Sequence, residues 1–147
     1  MSREVRKSVL KGGSLPKSDP VFEVLGDLDE LMAVLALARV YSRKKGRQKK
    51  ITEIEADLRL AGAAVSGFGR KGQMAALAVK IRGRIDGMRK PKRPGFVQPE
   101  EAETAWLNLA RAVCRRLERK AVGWKGENLA LIEYLNGLSQ YLFRLQF

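Results

Sequence analysis

A chain of 147 residues with 45% hydrophobic content is long enough for one domain around a single core. Lysine and arginine outnumber aspartate and glutamate by 29 to 16, a formal charge of +13, so the expected partners are anionic: nucleotides, nucleic acid or acidic membranes. Histidine is absent and Cys114 is the one cysteine, which excludes Ser/His and Cys/His triads, histidine zinc sites, imidazole acid–base work and an intrachain disulfide.

No apolar run reaches about 18 residues and the N-terminus carries no hydrophobic stretch, so the expectation is a soluble cytoplasmic protein that does not enter a membrane. Residues 1–18 are basic and read as a flexible lead-in to a single domain over 1–147. Within it, Lys11-Gly12-Gly13-Ser14 can cradle a phosphate but lacks the spacing of a phosphate-loop fingerprint.

Asp19-Pro20 predicts a sharp helix start, since aspartate caps free amides and proline suits the first helical position. The first helix is expected over Pro20–Ser42, almost wholly apolar from Leu31 to Ala38 and so buried on most sides. On one face Asp29 shares a stripe with Phe22, Gly26, Ala33, Ala36 and Val40. A carboxylate in that company needs a cation, for which the arginine row of the fourth helix is the obvious source; a nearby lysine or a wet position near the first turns is the alternative.

Arg43–Lys50 holds six cations and a glycine and reads as a solvated connection. A second helix is expected over Ile51–Phe68, with Ile54, Leu58, Ala61, Val65 and Phe68 inward. The loop Gly67–Gly72 after it fits either an anion cradle or a glycine stop. A third helix is expected over Gln73–Met88, carrying Leu77, Ile81 and Ile85. Three prolines between Arg89 and Pro99 dictate a stiff basic loop, in which Phe96 has no periodic partner.

A fourth helix is expected from Pro99 or Glu100 to Val122. It places Arg111, Arg115 and Arg119 at i, i+4 and i+8, in front of an apolar face of Leu107, Ala110, Cys114, Leu117 and Ala121. Like charges so spaced cost a few tenths of a kcal/mol per pair, roughly, so the row is either a solvated face or a receptor for negative charge. After a turn at Gly123–Gly126, a fifth helix over Glu127–Leu145 buries Leu131, Leu135, Leu138, Leu142 and Leu145. Its Asn136-Gly137 opposes helix propensity, which points to a site or to a close helix crossing. Five helices without a convincing strand make an all-α bundle.

Ser18-Asp19-Pro20, Gly26-Asp27-Leu28-Asp29-Glu30-Leu31, Phe96-Val97-Gln98-Pro99, Leu109-Ala110-Arg111-Ala112-Val113-Cys114-Arg115-Arg116-Leu117-Glu118-Arg119 and Tyr134-Leu135-Asn136-Gly137-Leu138-Ser139-Gln140-Tyr141-Leu142-Phe143 together resemble the PduO-type ATP:cob(I)alamin adenosyltransferases. The resemblance runs from about Gly12 to the C-terminus and is most specific in the arginine-rich block. It implies a five-helix bundle assembled as a homotrimer, with ATP, carrying Mg2+, and cobalamin bound where subunits meet. By motif position Lys17, Arg115, Glu118, Arg119 and Asn136 would belong to the ATP site, Phe96 would close the lower corrinoid face, and Asp29 with Arg115 would form an intersubunit ion pair. The implied reaction, attack of reduced cobalt on the 5′ carbon of ATP with release of triphosphate, needs no protein nucleophile or base, and no side chain is assigned as a metal ligand.

Three departures from the family pattern predict a weaker grip on ATP. The glycine-rich N-terminal segment is replaced by Ser2–Val9, the usual Pro-Gly-Gly reads Pro99-Glu100-Glu101, and the Ser-Asp pair of the last helix reads Ser139-Gln140. Three functions therefore stand: a working corrinoid adenosyltransferase; a catalytically impaired trimer of the same fold that binds nucleotide, corrinoid or a protein partner; and a basic nucleic-acid-binding helical protein, disfavoured because the basic runs carry few aromatics.

Overall fold

A computed structural model describes residues 7–92, 98–124 and 128–147. Two short strands, β1 (Lys7–Leu10) and β2 (Gly13–Pro16), precede five helices: α1 (Pro20–Tyr41), α2 (Lys45–Val65), α3 (Gln73–Asp86), α4 (Ala102–Gly123) and α5 (Leu129–Leu145). The strands pair antiparallel with Lys7 opposite Pro16 and Leu10 opposite Gly13. The segment expected to be a flexible lead-in is therefore a hairpin between residues 7 and 16, turned by Gly12 and Gly13 at φ 106° and 135°. It is tied down where the Lys11 amide donates to the Ser66 carbonyl at 3.1 Å, at the end of α2.

Each helix is set by its apolar period. Leu28, Leu31, Leu35 and Ala38 of α1, Ile54, Leu58 and Ala61 of α2, Leu77 and Ile81 of α3, Leu107, Ala110, Cys114 and Leu117 of α4, and Leu131, Leu135, Leu138, Leu142 and Leu145 of α5 form one buried core. α1 packs on α4, α4 on α5, and α5 on α3, so α4 and α5 lie side by side. Asp19 caps α1 by accepting from the Val21 amide at 3.0 Å, as the Asp-Pro start predicts. Among the described residues no helix is long and apolar enough to cross a membrane.

Both ends of α2 differ from expectation, and α3, α4 and α5 each shift one end by two or three residues. α2 begins at Lys45, inside the basic run, because tertiary contacts override the repulsion. Arg47 is buried against Glu103 of α4 at 2.5 Å, and the Gln48 amide donates to the Ser42 carbonyl at 2.8 Å. Phe68 lies beyond the end of α2 and is exposed rather than inward. Gly137, by contrast, has a structural reason: a Cβ there would sit 2.8 Å from Cγ2 of Ile81, so the glycine lets α5 approach α3 closely.

Candidate nucleotide and corrinoid site on α4 and α5

The outward side of α4 and α5 carries the polar cluster. Arg115 Nη1 donates to Glu118 Oε2 at 2.8 Å, Asn136 Nδ2 donates to Glu118 Oε1 at 3.1 Å, and Gln140 Nε2 donates to Asn136 Oδ1 at 3.0 Å. The i, i+3 spacing on α4 and the i, i+4 spacing on α5 produce these contacts once the helices are adjacent. Arg111 turns to Asn108, donating from Nε at 3.1 Å. Arg119 is exposed and forms no hydrogen bond or ion pair among the described residues.

Gln140 separates two hollows. One, of about 350 Å³, is lined by Arg111, Arg115, Ser139, Phe143, Arg144 and Pro91. The other, of about 430 Å³, lies between α3 and α5 and includes Ile85, Ile132, Asn136 and Gly137. The first combines three guanidinium groups with an aromatic ring, a surface that suits a flat apolar body bearing polar or anionic groups.

Arg115, Glu118 and Asn136 thus lie together, with Arg119 one turn beyond Arg115 on the same exposed side. Lys17 is exposed between the hairpin and α1, and among the described residues it forms no hydrogen bond or ion pair with this cluster. Phe96 lies outside the described residues.

Asp29 takes the wet alternative of the sequence reading. It is exposed, not buried among apolar neighbours, and it pairs with no arginine of its own chain among the described residues. α1 buries the opposite side, through Val21, Val24, Leu28, Leu31 and Leu35. The acid that turns inward is Asp27. It accepts from Arg116 Nε and Lys120 Nζ, each at 2.9 Å, while Arg116 also meets Glu30 and Lys120 also meets Glu23. Burial alone would raise the Asp27 carboxyl, but hydrogen bonds from Arg116 and Lys120 carry it below the usual carboxylate range.

Sequence reasoning missed this network although its signal was present. Glu23, Asp27 and Glu30 stand at i, i+4 and i+7 on α1, matching Arg116 and Lys120 at i and i+4 on α4. Missed too were Arg144 and Phe143 as lining of the basic hollow. Cys114 is fully buried, its Sγ 3.4 Å from the Leu135 carbonyl, and burial pushes its thiol well above the ordinary value, so it offers no thiolate to chemistry.

A family model described as cobalamin adenosyltransferase matches residues 6–147. The corrinoid adenosyltransferase MMAB of Mus musculus is 30% identical over 155 residues, an alignment covering 92% of this chain and 65% of that protein. The Homo sapiens protein of the same name is 30% identical over 157 residues, covering 94% and 62%. The chain thus spans a little under two thirds of the length of these relatives.

Among solved structures, a variant PduO-type ATP:co(I)rrinoid adenosyltransferase from Lactobacillus reuteri complexed with ATP superposes with a TM-score of 0.79 at 21% identity, covering 97% of this chain and 88% of that one. Another variant of that enzyme, complexed with cobalamin and ATP, gives 0.73 at 22% identity, covering 97% and 87%. These likenesses show the fold, and the match over nearly the whole sequence shows the kinship: the chain belongs to the cobalamin adenosyltransferase family.

Proposed function

We propose that the protein is a corrinoid adenosyltransferase, moving the 5′-deoxyadenosyl group of ATP to cob(I)alamin with release of triphosphate. The observation that carries this reading is the hydrogen-bonded set Arg115, Glu118 and Asn136, whose Arg115 lines a basic, aromatic-bearing hollow, with Arg119 unpaired among the described residues one turn on. Reduced cobalt is itself the nucleophile and triphosphate the leaving group, so the chain's task is to hold phosphates and orient the ribose carbon. A site of arginines, an amide and a carboxylate, in a chain without histidine, suits that task.

In this reading Lys17, Arg115, Arg119 and Asn136 contact ATP, Glu118 orients Arg115 and Asn136, and Phe96 meets the corrinoid. Magnesium arrives as the counter-ion of ATP, with no residue assigned as its ligand. The cations would collect the charge that develops as triphosphate departs.

The same reading makes the protein a homotrimer with ATP and corrinoid between subunits, and places it in the cytoplasm, where its reduced thiol is at home. Support for assembly lies on α1, where Asp29 heads an exposed stripe continued by Ala33, Leu37 and Val40, beside Leu109 of α4. Asp29 meets no cation among the described residues, and Arg115, though bonded to Glu118, is half exposed and keeps donors to spare, so the two can meet across a subunit boundary.

The test is an anaerobic assay with reduced cobalamin and MgATP, watched for the spectrum of the adenosylated product. Turnover supports the reading; ATP binding by calorimetry without turnover would replace it with a binding protein of the same fold. Asp29→Ala is expected to dissociate the oligomer or lower its melting temperature, and an unchanged trimer by light scattering would refute the intersubunit pair.

A further inference from the structure

We propose that Gln140 is a positioning residue for the nucleotide site: its amide fixes which way Asn136 faces, and through Asn136 it holds Glu118 against Arg115. The inference rests on the adenosyltransferase reading and adds to it a residue on the wall between the two hollows.

The orientation follows from donor and acceptor chemistry. An ionised Glu118 can only accept, and its two oxygens face Asn136 and Arg115. Asn136 must therefore turn its NH2 toward Glu118, which leaves its oxygen pointing along α5. That oxygen meets Gln140, four residues on, which must then present its own NH2 at 3.0 Å. One carboxylate thereby sets two amides in sequence, and Gln140 Oε1 remains as an acceptor on a side chain that lines both hollows.

Without the donor at position 140, Asn136 keeps only the Glu118 bond to fix its amide, and its unpartnered oxygen is free to draw the side chain away, loosening one of the two bonds that hold Glu118 in place. Arg115 would swing on a looser pivot, which matters to a polyanion held by placed cations. Asn136 and Gln140 are both exposed, so the bond between them contributes little to folding stability. Positioning and folding effects are consequently separable.

The experiment uses the full chain and three variants, Gln140→Leu, Gln140→Glu and Gln140→Asn, with KM for ATP and kcat from the anaerobic assay and ATP affinity from calorimetry. Leucine offers no donor, and an ionised glutamate accepts where a donor is needed. Both are expected to raise KM for ATP and weaken ATP affinity by about tenfold near neutral pH, with kcat less affected. Asparagine, one methylene shorter, is expected to fall between these variants and the native protein.

Melting temperatures should stay within about 2 °C of native. Because a protonated glutamate regains a donor, the deficit of Gln140→Glu relative to native should shrink as pH falls from about 7 toward 5, whereas that of Gln140→Leu should not. Native KM and ATP affinity in both the leucine and glutamate variants would overturn the inference, as would losses that only track a falling melting temperature. If the native protein binds ATP without turnover, the catalytic reading fails alone and calorimetry still decides the role of Gln140. A native protein that binds no ATP overturns both.

Discussion

Arg115 and Arg116 are neighbours in sequence and belong to different machines. One residue of helical rotation, about 100°, turns Arg116 inward to Asp27 and Glu30 of α1 and leaves Arg115 outward with Glu118. The inward side of α4 is an ion network satisfied within the chain: Asp27 is shared by Arg116 and Lys120, and Glu103 near the start of the helix is shared by Arg47 and the Arg43 amide. The outward side has more cation than acid, with Arg111 turned to a neutral asparagine and Arg119 unpaired among the described residues. Charge that holds helices together is neutralised at home, whereas the outward charge, which the proposed function gives to ATP, is left in excess.

Mutation should split the two sides cleanly. The largest effect is expected from Arg119→Ala, which should weaken ATP binding by about tenfold or more, the loss of charge-assisted bonds to phosphate, with little change in melting temperature. Native ATP affinity by calorimetry would erase the distinction between the sides. Asp27→Ala should do the reverse, costing about 2 kcal/mol and lowering the melting temperature by about 4–8 °C while ATP affinity in the folded protein stays near native.

Gly137→Ala comes next. Overpacking against Ile81 costs about 1–3 kcal/mol, partly offset by about 1 kcal/mol of helix propensity, so a net loss of about 1 kcal/mol is expected in denaturant unfolding. Stabilisation instead would show that α3 and α5 have room to separate.

The smallest and most gradual effect is on pH. Asp27 and Glu103 are both held below their ordinary values. Their contribution to stability is therefore fully present above the unfolded carboxyl range, near pH 4, and is lost as pH falls through it toward the lower folded values. Melting curves should show an acid limb there that is shallower in Asp27→Asn; an identical limb would remove Asp27 from the account.

The five helices were legible because their apolar residues recur with the helical period, and the burial of Leu107, Ala110, Cys114, Leu117 and Ala121 follows that period. What escaped was decided by contacts between elements. The basic run at 45–50 reads as a loop by its own charge, and only the Arg47 to Glu103 pair explains its helix. Asp29 and Asp27 are two positions apart on a helix apolar nearly all round, so spacing alone could not say which would face α4. The hairpin had a readable sign, Gly12-Gly13 between Leu10 and Leu15, but its four-residue strands are too short for alternation to show. In the site, the motif positions brought Arg115, Glu118 and Asn136 together, whereas the part of Gln140 emerges only from the geometry.

The sealed environment of Cys114 has a practical consequence. With the only native thiol walled inside the bundle, the folded protein is a blank background for maleimide or iodoacetamide chemistry. A cysteine introduced at an exposed position outside the proposed ATP contacts, such as Ser14 of β2, would be the sole reactive one. A fluorophore attached there could report, on the intact molecule, whether the hairpin's neighbourhood responds when nucleotide is added.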